Sequence, residues 1–402
     1  MSALPPLVEP GPELTRDELE RYARHLSLPE IGSLGQRRLR NARVLVIGAG
    51  GLGAPALQYL AAAGVGTLGI LDDDVVALTN LQRQVIHTVA DLGRLKTDSA
   101  ADAVARLNPL VEVRTHPVRL TADNAVELVG QYDLVLDGTD NFATRYVVSD
   151  AATVTGRPCV WGSILRFQGQ VSVFWAQHGP TYRDLYPEVP PPGEVPSCAE
   201  GGVVGILPAT IGSIMTTEAI KLITGTGEPL IGRILMHDAM AMTWRELRLV
   251  RDPDAMPVTA VQGIDSSCAV LGGAAVAPHE ILTAAELADL LERRGRGEAA
   301  FTLVDVREGW ERELASIPGA LSVPLQELLD SGEAALPAEV RGTDLVLHCQ
   351  AGGRSAAALA RLRDHFAQRE ENVRHLDGGI LAWVNHVGSE NPVQPSGPTP
   401  CQ

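Results

Sequence analysis

Two short stretches of this chain combine residue types that do chemistry. Gly48-Ala-Gly50-Gly51-Leu-Gly53 follows the apolar run Val44-Leu-Val-Ile47 and opens a helix. Glycines in that context let backbone N–H groups and a helix N-terminus approach a phosphate. Asp72 ends the next strand, where a carboxylate reaches ribose hydroxyls. These features alone predict a nucleotide, most often NAD. Asn80-Leu-Gln-Arg83-Gln84 and Lys96 do not suit NAD, because they bring cations to where the outer phosphates of a triphosphate lie. Asp137 and Asp140 end a later strand beside the same crevice, and a carboxylate there can hold Mg2+ bridging phosphate oxygens. The second stretch is Cys349-Gln-Ala-Gly-Gly-Arg354, after the strand Asp344-Leu-Val-Leu-His348 and before another helix. Loop N–H groups converging on the sulfur, with a helix N-terminus behind them, lower a thiol pKa and stabilise a thiolate or persulfide anion. Arg354 is expected to add a fixed positive charge. Phosphatases place five residues between Cys and Arg; the shorter spacing here makes a smaller cradle, better suited to sulfur than to phosphate.

Alternating strands and helices position these stretches. Strands end at Ile47, Leu71 and Leu136, with helices over about 52–63, 94–107 and 122–129 between and around them. This series predicts an α/β, doubly wound, Rossmann-like and mainly parallel sheet with ligands at the carboxyl ends of its strands. Thr15-Arg-Asp-Glu18 fits a capping box before it. Two further strands, a long Pro/Gly-rich loop over 176–202, a helix over about 208–223 and strands near 231–237 and 243–249 complete a domain spanning 1–251. Residues 252–278 read as a linker. Residues 279–390 form a second, smaller α/β domain, and 391–402 a flexible tail.

The composition narrows the function classes. A chain of 402 residues predicts two or three domains. The net charge of −16 argues against nucleic-acid binding. No apolar run appears long enough for a membrane span, and the N-terminus lacks a secretory pattern, so the expected location is cytoplasmic. Five widely spaced cysteines, Cys159, Cys198, Cys268, Cys349 and Cys401, suit free thiols in a reducing compartment rather than disulfides. Only Lys96 and Lys221 are lysines among the 33 cationic residues, which singles out Lys96.

Gly48 to Gly53, Asp72, Asn80-Leu-Gln-Arg-Gln84, Lys96, Thr139-Asp140-Asn141 and Cys198-Ala-Glu-Gly-Gly202 together resemble the MoeB/ThiF family, bacterial relatives of ubiquitin-activating enzymes, over roughly residues 14–250. The resemblance implies ATP and Mg2+, and adenylation of the C-terminal glycine of a ubiquitin-like sulfur carrier ending in Gly-Gly. It implies that Asp72 holds the ribose, Arg83 and Lys96 the phosphates, and Asp140 the metal and the reacting carboxylate. Arg21-Tyr-Ala-Arg24 resembles a motif whose last Arg reaches the partner's site, implying a homodimer with Arg24 acting in trans. Cys198 stands where the family handles the activated acyl group or sulfur covalently; a free loop cysteine is the equal alternative. Many relatives bind a structural zinc through two Cys-x-x-Cys pairs. Here Thr181-Tyr-Arg-Asp184 occupies the first pair's place and the stretch after Arg251 lacks the second, so no zinc is expected and packing must stabilise the fold.

Cys349 to Arg354, with Asp305-Val-Arg307, Ile317-Pro-Gly-Ala320 and Asp377-Gly-Gly-Ile-Leu-Ala-Trp383, resembles the rhodanese family over about 279–388. That implies a persulfide on Cys349, loaded by thiosulfate or a cysteine desulfurase. Asp305 is expected to anchor the fold, through Arg307 or loop amides, rather than to do chemistry, and Gln350 replaces a frequent Arg. Carriers of this type serve molybdenum-cofactor, thiamine, cysteine and tRNA-thiolation chemistry. The alternatives are an NAD-dependent oxidoreductase fused to a rhodanese-like domain, and a non-catalytic carrier-docking protein.

Overall fold

The computed structural model describes residues 4–188, 202–263, 276–366 and 372–387. Two compact units emerge, one before and one after residues 264–275. Cys198, Cys268, Cys401 and the tail over 391–402 lie outside the described residues, as does much of the segment read as a linker.

The first unit opens with α1 (Arg16–Arg21), α2 (Ala23–Leu26) and α3 (Gly32–Asn41). Thr15 caps α1 as its sequence predicts: its hydroxyl accepts from the Glu18 N–H, and the Glu18 carboxylate accepts from the Thr15 N–H. The chain continues through β1 (Arg43–Ile47), α4 (Gly53–Ala63), β2 (Thr67–Leu71), α5 (Lys96–Leu107), β3 (Glu112–His116), α6 (Ala122–Gly130), β4 (Leu134–Asp137) and α7 (Phe142–Thr155). Then come β5 (Cys159–Leu165), β6 (Gln168–Phe174), α8 (Tyr182–Leu185), α9 (Ile206–Thr224), β7 (Arg233–Asp238) and β8 (Thr243–Arg248). The strand order is β3-β2-β1-β4-β5-β6-β7-β8; the pairs from β3 to β5 are parallel and those from β5 to β8 antiparallel. Val44 to Ile47 and all of β2 are buried, the reason their sequences run apolar without alternation. Ile47 lies level with Leu71 on one side and Asp137 on the other, so three loops leave the sheet at one edge.

Two sequence expectations change. The stretch 176–202 is not one unpatterned loop. Tyr182 on α8 packs into a buried aromatic cluster with Tyr146, Trp161 and Phe174, and the Tyr186 ring lies tilted beside it. A four-residue helix is too short to show a period, so the aromatic residues were its only signal. Helix α9, in turn, is long and apolar enough by composition to cross a membrane, contrary to the reading that no such run exists. Here it is a core helix: Leu207, Ile211, Met215, Ala219 and Leu222 pack in the main cluster, while Glu218 accepts the Leu230 N–H and pairs with Lys221.

The segment Thr181–Asp184 is tied down by polar contacts as well as packing. Asp184 accepts the Asp252 N–H at 2.9 Å. Arg183 forms a two-pronged pair with buried Asp150 at 2.8 and 2.9 Å, and Asp150 also accepts the Gln262 N–H. Arg251 donates to the Ala176 carbonyl. Hydrogen bonds thus join the segment around residues 176–184 to the one over 251–262.

The second unit is a parallel sheet in the order β11-β10-β12-β13-β9, from β9 (Ile281–Leu282), β10 (Thr302–Asp305), β11 (Leu321–Ser322), β12 (Leu345–His348) and β13 (Val373–Leu376). It is flanked by α10 (Ala284–Gly295), α11 (Gly309–Leu314), α12 (Leu325–Ser331), α13 (Gly353–Phe366) and α14 (Gly379–Val387). Thr283 caps α10 through a second capping box.

Removing one partner of a buried ion pair strands the other charge, a loss of about 3 kcal/mol. Asp150→Ala should therefore lower the stability of the first unit by about that amount in urea unfolding followed by tryptophan fluorescence. Wild-type stability in that variant would show that the Arg183 pair does not hold the segment.

Candidate active sites

The first site forms where the strand order reverses, between β1 and β4, the place where an open α/β sheet binds ligands. Gly48 has φ +90° and turns the chain out of β1. Gly53 then passes so close to the Gly48 carbonyl that a Cβ would lie 1.8 Å from its oxygen. Any side chain at 53 would thus prise α4 off the turn. Ala49 locks the same turn from both sides: its N–H donates to Asp72 Oδ2 at 2.8 Å, and its carbonyl accepts from His87 Nε2 at 2.9 Å. That carbonyl fixes the proton on Nε2, so His87 Nδ1 takes the Ser99 hydroxyl at 2.8 Å. Burial holds the His87 pKa below its ordinary value and raises that of Asp72, against the pull of Lys96.

The crevice holds about 370 Å³ and is lined by Gly48, Gly50, Gly51, Asp72, Arg83, Gln84, Lys96, Asp140 and Asn141 among the site residues predicted from the sequence. Lys96 begins α5, is almost fully buried, and places Nζ 2.7 Å from Asp74 Oδ2. Arg83 is half-buried and donates to the Thr79 carbonyl at 3.0 Å. Gln84 is buried, and its Oε1 has no hydrogen-bond partner among the described residues.

Several predicted residues act one step back. Asn80 does not line the crevice; its side chain accepts the Ala77 N–H and its carbonyl takes the N–H groups of Arg83 and Gln84, fixing the turn that carries them. Asn141 caps α7 by accepting the Thr144 N–H at 2.9 Å, which leaves Asp140 out of the capping role. Asp137 turns inward and accepts the Thr139 N–H and hydroxyl at 3.0 and 2.6 Å. Burial raises its pKa, with Arg145 opposing. Arg24 lies on exposed α2, away from the crevice lining.

The sequence reading assigned no role to four charged lining residues. Asp73 and Asp74 extend the acidic end of β2, Arg119 follows β3, and Arg145 donates through Nε and Nη2 to the Thr139 carbonyl at 3.2 and 3.0 Å. Arg145 also lies over the Phe142 and Trp161 rings. Position just beyond a strand end was the available signal for Arg119, and the following helical turn for Arg145.

The second site stands at the end of β12. Cys349 is buried, and its Sγ accepts the Gly352 N–H at 3.1 Å, with the Ser355 hydroxyl 3.6 Å away. The loop rests on α14, whose Ile380 and Leu381 N–H groups donate to the carbonyls of Cys349 and Gln350. A Cβ on Gly379 would come within 2.5 Å of the Cys349 oxygen. Asp305 anchors the region as expected, accepting Nε and Nη2 of buried Arg307. The charge of Arg354 comes with a partner: both its Nη atoms donate to Glu311 at 2.7 Å. A carboxylate four residues beyond Arg307 supplies the counter-charge, and its place in space was not legible from spacing.

Burial pushes the His348 pKa down to about 4, against the attraction of Asp305. The folded chain thus binds this proton more weakly than the unfolded one. The resulting stability is complete above the ordinary value of 6.5 and is lost as pH falls towards 4. Acid titration of the unfolding free energy should show a loss of about 3 kcal/mol over that window, and His348→Asn should abolish it. An unchanged acid limb in the variant would contradict this account.

Comparison with known proteins matches both domains. Residues 22–258 match the ThiF family and residues 283–386 the rhodanese-like domain. A Mycobacterium tuberculosis protein named "Probable adenylyltransferase/sulfurtransferase MoeZ" is 53% identical over 96% of this chain and 98% of its own. A Thermus thermophilus protein named "Sulfur carrier protein adenylyltransferase" is 51% identical over 60% of this chain and 90% of its own. Among solved structures, Escherichia coli MccB with MccA-N7isoASN aligns with a TM-score of 0.54 at 18% identity, over 60% of this chain and 74% of that one, a likeness of fold alone. These matches set aside the oxidoreductase and non-catalytic alternatives. Its two sites thus lie in matched domains, and the chain belongs to the ThiF family, as an adenylyltransferase and sulfurtransferase with a rhodanese-like second domain.

Proposed function

We propose that this enzyme adenylates the C-terminal glycine of a ubiquitin-like sulfur carrier and converts it to a thiocarboxylate. The observation that carries the reading is the charge of the first crevice. Asp72, Asp73, Asp74 and Asp140 line it against Arg83, Lys96, Arg119 and Arg145. The formal charges cancel, so a triphosphate with about four negative charges enters favourably only with a divalent cation. Mg–ATP fits that need, and Asp140, free of the capping role, is the carboxylate assigned to the metal. The orphan Gln84 Oε1 offers an acceptor to a nucleotide hydroxyl or amine. Gly48, Gly50, Gly51 and Gly53 form the phosphate turn, and Asp72 keeps spare acceptor capacity for the ribose.

The chemistry then runs in two stages. A carrier carboxylate oxygen attacks the α-phosphorus, pyrophosphate leaves, and an acyl-adenylate forms; Lys96 and Arg83 neutralise the charge that builds on the phosphates. The terminal sulfur of a Cys349 persulfide then attacks the acyl carbon and AMP leaves. One thiol attacks the Cys349 sulfur of the remaining S–S bond and the carrier thiocarboxylate leaves; a second thiol resolves the mixed disulfide, restoring the Cys349 thiol and releasing the reductant as its disulfide. Cys198 is a second candidate thiol on this route.

The reading extends to a homodimer in which Arg24 completes the partner's crevice, which the position of Arg24 outside its own crevice favours. It keeps the boundaries 1–251, 252–278 and 279–390. It places the enzyme in the cytoplasm, in keeping with the free thiols of Cys159 and Cys349, and supplies sulfur to molybdenum-cofactor, thiamine or cysteine synthesis.

Intact mass of a Gly-Gly carrier, after incubation with enzyme, Mg–ATP, a sulfur donor and a thiol, tests this directly. A gain of about 16 Da, oxygen replaced by sulfur, is expected with wild type. Cys349→Ala should adenylate without that gain, and Lys96→Ala should do neither. Mixing Arg24→Ala with Lys96→Ala should restore part of the activity if Arg24 acts in trans. A Cys349→Ala enzyme that still makes thiocarboxylate would overturn the two-site scheme.

A further inference from the structure

The cation of the sulfur site is already engaged. Arg354, on the first turn of α13, gives both Nη atoms to Glu311, and Glu311 is itself mostly buried and also accepts the Glu308 N–H at 3.0 Å. Arg307 is likewise committed to Asp305. Arg312 donates to the Ala320 carbonyl and lies 3.7 Å from Asp305. Gln350, the first residue after the cysteine, is neutral and takes up Arg307 Nη1 through its side-chain oxygen at 3.4 Å.

On the reading that Cys349 carries sulfane sulfur, we infer that Glu311 sets the donor preference: by neutralising Arg354 it disfavours an oxyanion donor and favours the terminal sulfur of an alkyl persulfide.

The charge balance of the two reactions explains the choice. With thiosulfate, a Cys349 thiolate attacks the outer sulfur of a dianion. The sulfur–sulfur bond to the sulfite group breaks, sulfite leaves with the electron pair, and three negative charges share the loop throughout. With a protonated persulfide, R–S–SH, the thiolate attacks the terminal sulfur, the inner S–S bond breaks, and R–S⁻ leaves. Only one negative charge is present before and after. A loop whose guanidinium is tied to a carboxylate stabilises the second case far better than the first. The persulfide's source is either free cysteine persulfide or a persulfide borne on a protein thiol.

The test is the rate of sulfur loading on the full-length enzyme, read as a gain of about 32 Da at Cys349. The donors are thiosulfate, cysteine persulfide and a cysteine desulfurase loaded with persulfide. Wild type should load from the better persulfide at least about tenfold faster than from thiosulfate. Glu311→Gln removes the charge but keeps the shape. It should raise the ratio of thiosulfate to persulfide rates about tenfold, with thiosulfate loading now falling steeply as salt is added. Glu311→Asp, which keeps the charge, should stay near the wild-type ratio, separating charge from a packing effect. The faster persulfide arm identifies the source. A wild type that prefers thiosulfate, or a Glu311→Gln variant that loads sulfur with an unmoved ratio, overturns the inference. Failure of wild type to load from any donor would instead overturn the sulfurtransfer reading on which it rests.

Discussion

Both sites depend on a backbone-to-backbone approach that no side chain permits. At the first, Gly53 lies against the Gly48 carbonyl, so helix α4 starts directly beneath the turn and its N-terminus faces the crevice. At the second, Gly379 lies against the Cys349 carbonyl, so the first N–H groups of α14 can hold the loop that carries the sulfur. Each contact does the same work. It converts the end of a buried parallel strand into a rigid concave surface whose polar groups are aimed before any ligand arrives. The Ala49 bonds to Asp72 and His87, and the Asp305–Arg307 pair, then brace those surfaces from behind.

The two sites also share an electrostatic design. Their principal cations rest on carboxylates: Lys96 on Asp74, Arg354 on Glu311. A buried ammonium or guanidinium without a partner would destabilise the fold, so the acid is needed when no anion is bound. The two acids differ in exposure. Asp74 stands in solvent, and a phosphate can take over its partner at small cost. Glu311 is mostly buried and fastened by its own backbone neighbour, so Arg354 is released far less readily. One cation is lent to substrate charge; the other is largely withheld from it.

Much of the fold was legible because its strands are buried on both faces and its helices are periodic. Runs such as Val44–Ile47 and Leu345–Leu347 can fold only as interior strands of a covered sheet, and their glycine or cysteine loops mark the carboxyl ends. What escaped notice was short or atypical. Helices α8 and α11 are too brief to display a period, and α9 is apolar on more than one face because the sheet and neighbouring helices enclose it. Within the sites, residues inside a local motif were found, whereas Arg119, Arg145 and Glu311 were not. Each of these joins its site from a loop or helix that only the folded chain brings near.

The sequence by itself determined the chemistry on offer: a phosphate turn, an acid at the following strand end, two cations, and a cysteine in a glycine loop. These are local patterns, enforced by backbone sterics and hydrogen bonding over a few residues. Tertiary structure alone decided which charges meet. It tied Arg183 to Asp150 and gave Arg354 to Glu311. Pairings of that kind depend on distances between segments far apart in the chain. Spacing along the sequence fixes which side chains are present, but the energy of a buried charge depends on what stands within a few ångströms of it in space.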